Sequence, residues 1–355
     1  MTLPRRILVF HTAFIGDIIL ALPLIQVLKA TFPDAAITVV TVPAAAGLLG
    51  NHPAISESLV YDKRGRQRGF AGMFDLSRAL RERRFDLAFV PHRSLRSALI
   101  IRRADIPVRI GFSTSAGRFL FTETVPYDRD AHEIDRNLGL LHPLGMKGGD
   151  PVLPSLYPSV EDVATVDRLL ADARTGGVVT ENLIAVAPGS VWNTKRWPAD
   201  RFASLVRCLV RDGFSIALVG GQEDRPICDA IAGAAGERGT VNSAGRLTLL
   251  QSAELIRRCT VAISNDSAPM HLAVAMRVPV VVIFGATAPQ FGFAPRGVLD
   301  CVVETNGLSC RPCAIHGGKR CPVGTFDCMM KISPDDVLGR IRTILHTTGG
   351  VDPWH

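Results

Sequence analysis

The segment from Ser264 to Ala273 reads S-N-D-S-A-P-M-H-L-A and has the pattern of a strand that stops where a helix starts. Ser267 is placed to cap that helix, and Pro269 falls in its first turn, where a missing N–H costs nothing. Backbone N–H groups at such a start attract phosphate because they carry the positive end of the helix dipole. Asp266 and His271 then lie within reach of a phosphate or a sugar. A capped core helix with a surface Asp is the alternative interpretation.

A second polar segment follows the apolar run at 183–187 and contains Ser190, Lys195, Arg196 and Trp197. The Gly-Ser turn offers backbone N–H groups and a hydroxyl, and Lys195 offers a point charge for a diphosphate. These residues therefore predict the binding of a phosphorylated ligand. The alternative is a surface loop whose Trp197 is anchored in the core and whose basic side chains are solvated.

Two acids also follow predicted strands. Gly16 and Asp17 come after the first strand, in a loop that lacks the G-x-G-x-x-G fingerprint of dinucleotide-binding proteins. A carboxylate there could act as a general base toward an acceptor hydroxyl, or it could simply favour a helix N-terminus. Glu223, after a Gly-Gly pair, could accept hydrogen bonds from ribose hydroxyls. The helix dipole is again the alternative explanation.

The composition is that of a globular protein with a basic surplus. The 355 residues are 47% hydrophobic and 21% charged, and the net charge is +7. This length accommodates two domains. Aromatic residues are scarce and do not alternate with basic ones, so a small anionic substrate or a lipid surface is favoured and nucleic acid is not. The chain shows no signal peptide and no transmembrane segment, which predicts a cytoplasmic protein that can rest on the inner membrane surface.

Alternating strands and helices must position these segments. Strands are predicted at 7–10, 37–42, 58–61, 87–90 and 108–112 in the first half, and at 183–187, 215–219, 240–243, 261–264 and 278–284 in the second. Helical patterns separate most of them, which indicates βαβ units and mostly parallel sheets. The predicted fold class is α/β, with two Rossmann-like, doubly wound domains that face a cleft. In such folds the ligand lies at the carboxyl ends of the strands.

The domain boundaries follow from composition and pattern. The prediction is an N-terminal domain at 1–150, a linker and connecting helix at 151–181, a C-terminal domain at 182–333 and a last helix at 334–347. The last helix begins with Ser333-Pro-Asp-Asp, which is a helix-capping signature.

Three motifs in this order resemble glycosyltransferase family 9, the ADP-heptose:lipopolysaccharide heptosyltransferases, and within it the type II enzymes. They are Gly16-Asp17, the Lys-Arg-Trp-Pro block at 195–198, and the Asn-Asp-Ser block at 265–267 with its Met-His-Leu-Ala. The resemblance extends from about residue 5 to residue 346. One departure is Ala268-Pro269, where the family usually has Gly followed by an apolar residue.

The resemblance implies a GT-B architecture, with the acceptor on the N-terminal domain, the nucleotide-sugar on the C-terminal one, and a last helix that packs back across the N-terminal domain. It implies an inverting transfer that needs no cofactor for its chemistry. Asp17 becomes the general base and Lys195 neutralises the leaving diphosphate. The implied donor-binding side chains are Ser190, Lys195, Glu223, Asp266, Ser267 and His271.

The expected reaction moves heptose from ADP-L-glycero-D-manno-heptose to the heptosylated inner core of lipopolysaccharide. Another family 9 glycosyltransferase with a different donor or acceptor, or a non-enzymatic nucleotide-sugar binder, is the alternative. The basic residues Lys63, Arg64, Arg93 and Arg96 of the first half are candidates for contact with a phosphorylated lipid acceptor at an anionic surface. Solvated loops and helix faces are the other explanation of these four residues.

Four cysteines lie close together near the end of the chain, at Cys310, Cys313, Cys321 and Cys328. A C-x-x-C pair followed by two more cysteines resembles a structural zinc knuckle in composition. Two disulfides are not expected in a reducing cytoplasm. The hypotheses are therefore a structural zinc, or unpaired and reversibly oxidised thiols.

Overall fold

A computed structural model describes residues 3–146, 152–177, 182–236 and 239–348. The chain divides into two compact units between Tyr157 and Pro158. Each unit is built around a six-stranded sheet in which all neighbouring strands are parallel. The prediction of an α/β fold with two Rossmann-like halves is confirmed.

The first unit contains six strands and five helices. The strands are β1 (Arg6–Phe10), β2 (Ala36–Thr41), β3 (Glu57–Val60), β4 (Leu87–Val90), β5 (Val108–Phe112) and β6 (Glu123–Val125). The helices are α1 (Ile15–Thr31), α2 (Pro43–Ala46), α3 (Gly69–Glu82), α4 (Leu95–Arg103) and α5 (Glu133–Gly139). The strand order is β3-β2-β1-β4-β5-β6, so the order reverses between β1 and β4.

The second unit repeats this plan. Its strands are β7 (Leu183–Ala187), β8 (Ser215–Leu218), β9 (Thr240–Asn242), β10 (Val261–Asn265), β11 (Val280–Phe284) and β12 (Cys301–Glu304). Its helices are α6 (Val160–Thr175), α7 (Ala199–Arg211), α8 (Arg225–Ala235), α9 (Leu249–Arg257), α10 (Ala268–Ala275), α11 (Asp327–Met330) and α12 (Pro334–Thr348). The order β12-β11-β10-β7-β8-β9 reverses between β10 and β7.

Strands β4, β7 and β11 are apolar along their whole length because helices cover both faces of each sheet. Every residue of β7 and of β11 is buried. The covering helices are amphipathic, and in α7 the buried side chains include Phe202, Leu205, Val206 and Leu209, at helical spacing. The core of each unit therefore lies between its sheet and its helices.

The strands β6 and β12 were not among those predicted from the sequence. Both lie at an edge of their sheet, and they have three and four residues. Their side chains are only partly buried, because one side of an edge strand has no neighbour. A short, half-exposed run lacks the continuous apolar pattern on which the other strands were predicted.

Helix α1 is the most apolar long helix of the first unit. The helix has 17 residues, of which those from Ile18 to Ile25, Pro23 included, are all buried. It packs against α5. None of the helices in the described ranges is long and apolar enough to cross a membrane.

The last helix begins as the sequence predicts. Ser333 Oγ accepts the Asp336 N–H at 3.1 Å, and the Asp336 carboxylate accepts the Ser333 N–H at 2.8 Å. Helix α12 packs against α7, β10, β11 and β12 of its own unit. Its return across the N-terminal domain stays a prediction. The predicted linker at 151–181 lies partly outside the described residues, at 151 and at 178–181.

His52 is a buried side chain in the turn between α2 and β3. Its Nδ1 accepts the N–H of Ala54 at 3.2 Å, and its ring stands edge-on to Tyr157, with 5.0 Å between the ring centroids. Burial lowers the pKa of His52 to about 4. The folded chain therefore holds this imidazole neutral at neutral pH.

We expect this histidine to make the first unit sensitive to acid. Its pKa is lower in the folded than in the unfolded chain, so stability is full above the unfolded value of about 6.5 and is lost as pH falls toward 4. Between about pH 7 and about pH 5 the loss from this side chain is about 2 kcal/mol. His52→Asn keeps an acceptor for Ala54 and removes the titration.

Urea unfolding followed by circular dichroism at both pH values measures the effect. The His52→Asn variant should lose less free energy of unfolding between the two pH values than the parent chain does. The exposed His346 of α12 supplies a control substitution, His346→Asn. An equal pH dependence in the parent chain and in His52→Asn would contradict the prediction.

Candidate functional site

The two polar segments of the second unit come together at the centre of its sheet. Lys195 lies in the loop after β7, and Asp266 directly follows β10. These two strands are hydrogen-bonded neighbours at the point where the strand order reverses. In open α/β sheets this position, at the carboxyl ends of the strands, forms the crevice in which ligands bind.

Lys195 and Asp266 form an ion pair. The Lys195 Nζ lies 2.7 Å from the Asp266 Oδ2, and the two side chains are only 13% and 8% exposed. Thr287, in the loop after β11, donates its hydroxyl to the same carboxylate oxygen at 2.7 Å. Removing two charges from water is costly, and the additional hydrogen bond offsets part of that cost. Thr287 was not predicted, because nothing in the sequence connects it with Asp266.

Asn265, the last residue of β10, ties the Lys195 loop to the sheet. Its Nδ2 donates to the carbonyl of Pro188 at 2.8 Å, and its Oδ1 accepts the N–H of Trp197 at 3.0 Å. Trp197 is fully buried and donates its indole N–H to the carbonyl of Ile332 at 3.1 Å. The loop is thus fixed at both ends. Trp197 is anchored in the core, as the alternative interpretation expected, whereas Lys195 of the same loop is largely buried and not solvated.

The two predicted serines lie beside this pair. Ser190 is buried, and its carbonyl accepts a hydrogen bond from the Nε–H of Arg196 at 2.7 Å. Ser267 occupies the N-cap position of α10, but its side chain caps nothing. Its hydroxyl instead donates to the carbonyl of Gly189 at 3.3 Å. The capping prediction for Ser267 is therefore wrong, because the hydroxyl is turned toward a carbonyl of the neighbouring loop and its oxygen accepts no N–H of α10.

The other two residues predicted to bind the nucleotide-sugar, His271 and Glu223, lie in different environments. His271 is buried in α10. Glu223 is exposed, in the short helical turn that follows β8. The adjacent Asp224 accepts the N–H of Gly221 at 3.0 Å, and its carboxylate packs so closely on Gly189 that a Cβ there would meet it at 2.2 Å. The ligand contacts proposed for His271 and Glu223 stay predictions.

The segment between β12 and α11, which contains three of the four late cysteines, adjoins the Lys195 loop. The N–H of Thr194 donates to the carbonyl of Gly318 at 3.0 Å, and the N–H of Gly318 donates back to the Thr194 hydroxyl at 2.7 Å. Gly317 has a φ of +82°, and a Cβ there would lie 3.1 Å from the Lys195 Cγ. A glycine is needed at this position for both reasons.

Arg311, in the same segment, supports the loop that carries Thr287. Its Nε donates to the carbonyls of Gly285 at 2.7 Å and Thr287 at 3.1 Å. Its guanidinium also pairs with the carboxylate of Glu304 at the end of β12. The segment thus contacts the loops on both sides of the ion pair, and no sequence pattern indicated these contacts.

The cysteines are free thiols. Burial raises the pKa of Cys313, and it raises the pKa of Cys328 to about 11. Backbone N–H groups from Val323 to Phe326 lower the pKa of Cys321. Across the described ranges, no group of three or more His, Cys, Asp or Glu side chains is arranged to hold a metal ion. The four late cysteines do not form such a group, and the structural zinc stays a prediction.

Asp17 lies at the corresponding point of the first unit, in the first turn of α1 after β1. It is half-buried, and its Oδ2 accepts the N–H of Phe14 at 3.0 Å. This contact stabilises the start of the helix, as the alternative interpretation of the sequence expected. A role at the helix start does not exclude proton transfer, because a carboxylate can accept several hydrogen bonds.

A second, buried carboxylate lies near Asp17. Burial raises the pKa of Glu133, and the negative charge of Asp17 acts in the same direction. Arg136 opposes this effect through an ion pair at 2.9 Å. The guanidinium groups of Arg93 and Arg136 lie 4.0 and 4.9 Å from the centroid of the Tyr127 ring. Glu133 and Tyr127 were not predicted as parts of the site.

Two neutral histidines and a lysine complete this region. The pKa of His11 is lowered to about 3 and that of His92 to about 4, and burial is the main cause of both shifts. Lys63 donates to the carbonyl of Thr12 at 2.6 Å, which attaches it to the loop that leads to Asp17. Burial and the nearby charges of Arg64 and Arg96 lower the pKa of Lys63. A half-buried cation beside a carboxylate loop is suited to an anionic ligand.

Three other predicted basic residues, Arg64, Arg93 and Arg96, are exposed. They lie after β3 and β4, on the same edge of the sheet as Asp17. The first unit thus presents a carboxylate surrounded by cations, and the second presents an ion pair at the switch point of its sheet.

The chain is similar to known proteins along most of its length. The family model of glycosyltransferase family 9 (heptosyltransferase) matches residues 73–318. Lipopolysaccharide heptosyltransferase 2 of Salmonella typhimurium is 29% identical over 294 residues, which are 81% of this chain and 84% of that protein. Lipopolysaccharide heptosyltransferase 3 of Escherichia coli is 28% identical over 292 residues, 78% of this chain and 81% of that protein.

A solved structure gives the same result for the fold. The Escherichia coli ADP-heptose lipopolysaccharide heptosyltransferase II superposes with a TM-score of 0.79 and 26% sequence identity. The match covers 97% of this chain and 100% of that one. Both six-stranded sheets are therefore those of a GT-B enzyme.

We expect Asn265→Ala to loosen the Lys195 loop. The change removes the partners of the Trp197 N–H and the Pro188 carbonyl, and two buried groups without partners cost about 3 kcal/mol. Urea unfolding followed by tryptophan fluorescence should show this loss. Asn193→Ala, an exposed position in the same loop, is the control and should change stability by less than about 0.5 kcal/mol. Equal stability of the two variants would mean that Asn265 does not hold the loop.

Proposed function

Because the chain belongs to glycosyltransferase family 9, the heptosyltransferases, we propose that it transfers heptose from ADP-L-glycero-D-manno-heptose to the heptosylated inner core of lipopolysaccharide. The observation that carries the proposal is the buried pair of Lys195 and Asp266 at the switch point of the second sheet. A nucleotide diphosphate is the ligand that this fold binds there. The donor-binding residues are Ser190, Lys195, Glu223, Asp266, Ser267 and His271.

In the proposed reaction, Lys195 stabilises the charge that develops on the diphosphate as the bond to the anomeric carbon breaks. The diphosphate binds the ammonium of Lys195 either together with Asp266 or in place of it. Asp266, held by Thr287, is then available to accept hydrogen bonds from the hydroxyls of the sugar. The ion pair thus has a function beyond stability, because Lys195 binds the diphosphate of the donor and Asp266 binds its sugar.

Asp17 is the proposed general base. It takes the proton of the acceptor hydroxyl as that oxygen forms a bond to the anomeric carbon, and ADP leaves with the electrons of the broken bond. The negative charge of Asp17 also raises the pKa of the nearby, buried Glu133. One displacement of this kind inverts the anomeric configuration. No metal takes part in these steps.

The acceptor is anionic, and the basic residues of the first unit suit it. Lys63, Arg64, Arg93 and Arg96 are the proposed contacts of its phosphate and carboxylate groups. The acceptor is also a lipid, so the enzyme works at the cytoplasmic face of the inner membrane. A family 9 enzyme with a different acceptor, such as the type 3 relative, is the second candidate, since both types are about equally similar to the chain.

A transfer assay tests the proposed acceptor. Purified protein is given ADP-heptose and inner cores with no, one or two heptoses, and the products are measured by mass spectrometry. We expect one heptose to be added to the mono-heptosylated core only. Transfer only to the core with two heptoses would support the second candidate. Absence of transfer to all three cores would contradict the proposed reaction and favour a family 9 enzyme with another donor or acceptor.

The Asp17→Asn substitution tests the base. Asn can still accept the Phe14 N–H, so the start of α1 is kept, but it cannot take a proton. We expect kcat to fall at least about 100-fold with little change in the dissociation constant of the donor. Asp34→Asn, an exposed position after α1, is the matched control. A normal kcat in Asp17→Asn would remove this residue from the proposed mechanism.

A further inference from the structure

We propose that one face of the first unit binds directly to an anionic membrane and inserts aromatic side chains between lipid headgroups. This docking face consists of the amino ends of α3 and α4 and the adjoining turn at 118–120. Its exposed apolar side chains are Phe70, Phe74, Leu95 and Phe119. By this surface the enzyme would reach its lipid acceptor. The connection with the acceptor rests on the proposed function, whereas membrane binding itself does not.

The exposure of these aromatic side chains is unusual. Phe70 and Phe119 are 75% and 74% exposed, and Phe74 is 43% exposed. Within the described ranges, Phe14 is the one other exposed phenylalanine, and it also lies in the first unit. Large apolar side chains in water cost free energy, so a group of them on one face indicates a surface that is covered during function.

The parts of the fold that carry these apolar side chains adjoin one another. Helices α3 and α4 pack together, and a shallow cleft of ≈ 170 Å³ between their amino ends is lined by Phe70, Met73, Leu95, Arg96 and Leu99. The turn that carries Phe119 packs on α4: a Cβ at Gly117 would lie 3.4 Å from Leu95. The docking face is therefore built from three neighbouring parts of the fold: α3, α4 and the turn at 118–120.

The charge around this face favours lipid over protein as the partner. Residues 63–74 contain four cations and no acid. The nearest acids on either side are Asp62, which accepts the N–H groups of Gly65 and Arg66 at 2.8 and 3.0 Å, and Asp75, which pairs with Arg78 at 3.3 Å. Exposed aromatic residues beside a surplus of cations match the interface of an anionic bilayer.

The docking face is continuous with the proposed acceptor site. Arg96 lines the apolar cleft, and its charge acts on Lys63, which donates to the carbonyl of Thr12. That carbonyl belongs to the loop between β1 and Asp17. A lipid whose acyl chains stay in the bilayer thus extends its phosphorylated sugars along Arg96 and Lys63 toward the general base.

Vesicle flotation with the full chain tests the proposal. The probes are vesicles of phosphatidylethanolamine with phosphatidylglycerol, and vesicles of phosphatidylcholine alone. We expect binding to the anionic vesicles only, and a binding constant about tenfold lower for Phe70→Ser/Phe119→Ser and for Arg66→Glu/Arg68→Glu. The controls are Val298→Ser, at an 85% exposed position of the second unit, and Arg78→Glu, at the other end of α3. Both controls should bind as the parent chain does.

A second measurement separates this proposal from the proposed function. Transfer to a water-soluble core oligosaccharide should be unchanged in the Phe70→Ser/Phe119→Ser variant, whereas transfer to the same core anchored in anionic vesicles should fall about tenfold. If no acceptor is used by any variant, the proposed function fails and flotation still tests the docking face. Equal flotation of parent and variants would overturn the proposal. So would parent dimers that dissociate in Phe70→Ser/Phe119→Ser, since the face would then cover a second copy.

Discussion

The ion pair between Lys195 and Asp266 is the interaction on which the second unit depends for its chemistry. Two charges are held at 2.7 Å with little access to water, so each needs neighbours that fix its position. Asn265 and Trp197 fix the loop of the lysine, and Thr287 fixes the carboxylate. The ammonium that we propose to stabilise a leaving diphosphate is therefore held in a fixed position by the protein itself.

The shared topology of the two sheets explains why the two proposed roles fall where they do. Each sheet reverses its strand order once, and each reversal brings two loops together at the carboxyl ends of neighbouring strands. In the first unit this edge presents a carboxylate among cations, whereas in the second it presents a cation held by a carboxylate. The same backbone plan thus supplies opposite electrostatic environments, and the difference comes from a few side chains in the loops.

Sequence patterns predicted the architecture well, because fully buried parallel strands and amphipathic helices leave periodic signals. They missed β6 and β12, whose edge positions require no apolar run. In the candidate site the sequence indicated Lys195, Asp266 and Asp17, because these residues directly follow strands. It could not indicate Thr287 or Glu133, since both act through contacts with distant parts of the chain. For Ser267 the local capping rule failed, because its hydroxyl is turned toward a carbonyl of another loop.

The contact of Gly317 with Lys195 has a consequence for the placement of the lysine. A side chain at 317 would push on the lysine stem, and an insertion or deletion between β12 and α11 would move the glycine away from it. The position of the ammonium therefore depends on the length of a segment that is distant in the sequence and contains none of the proposed catalytic residues.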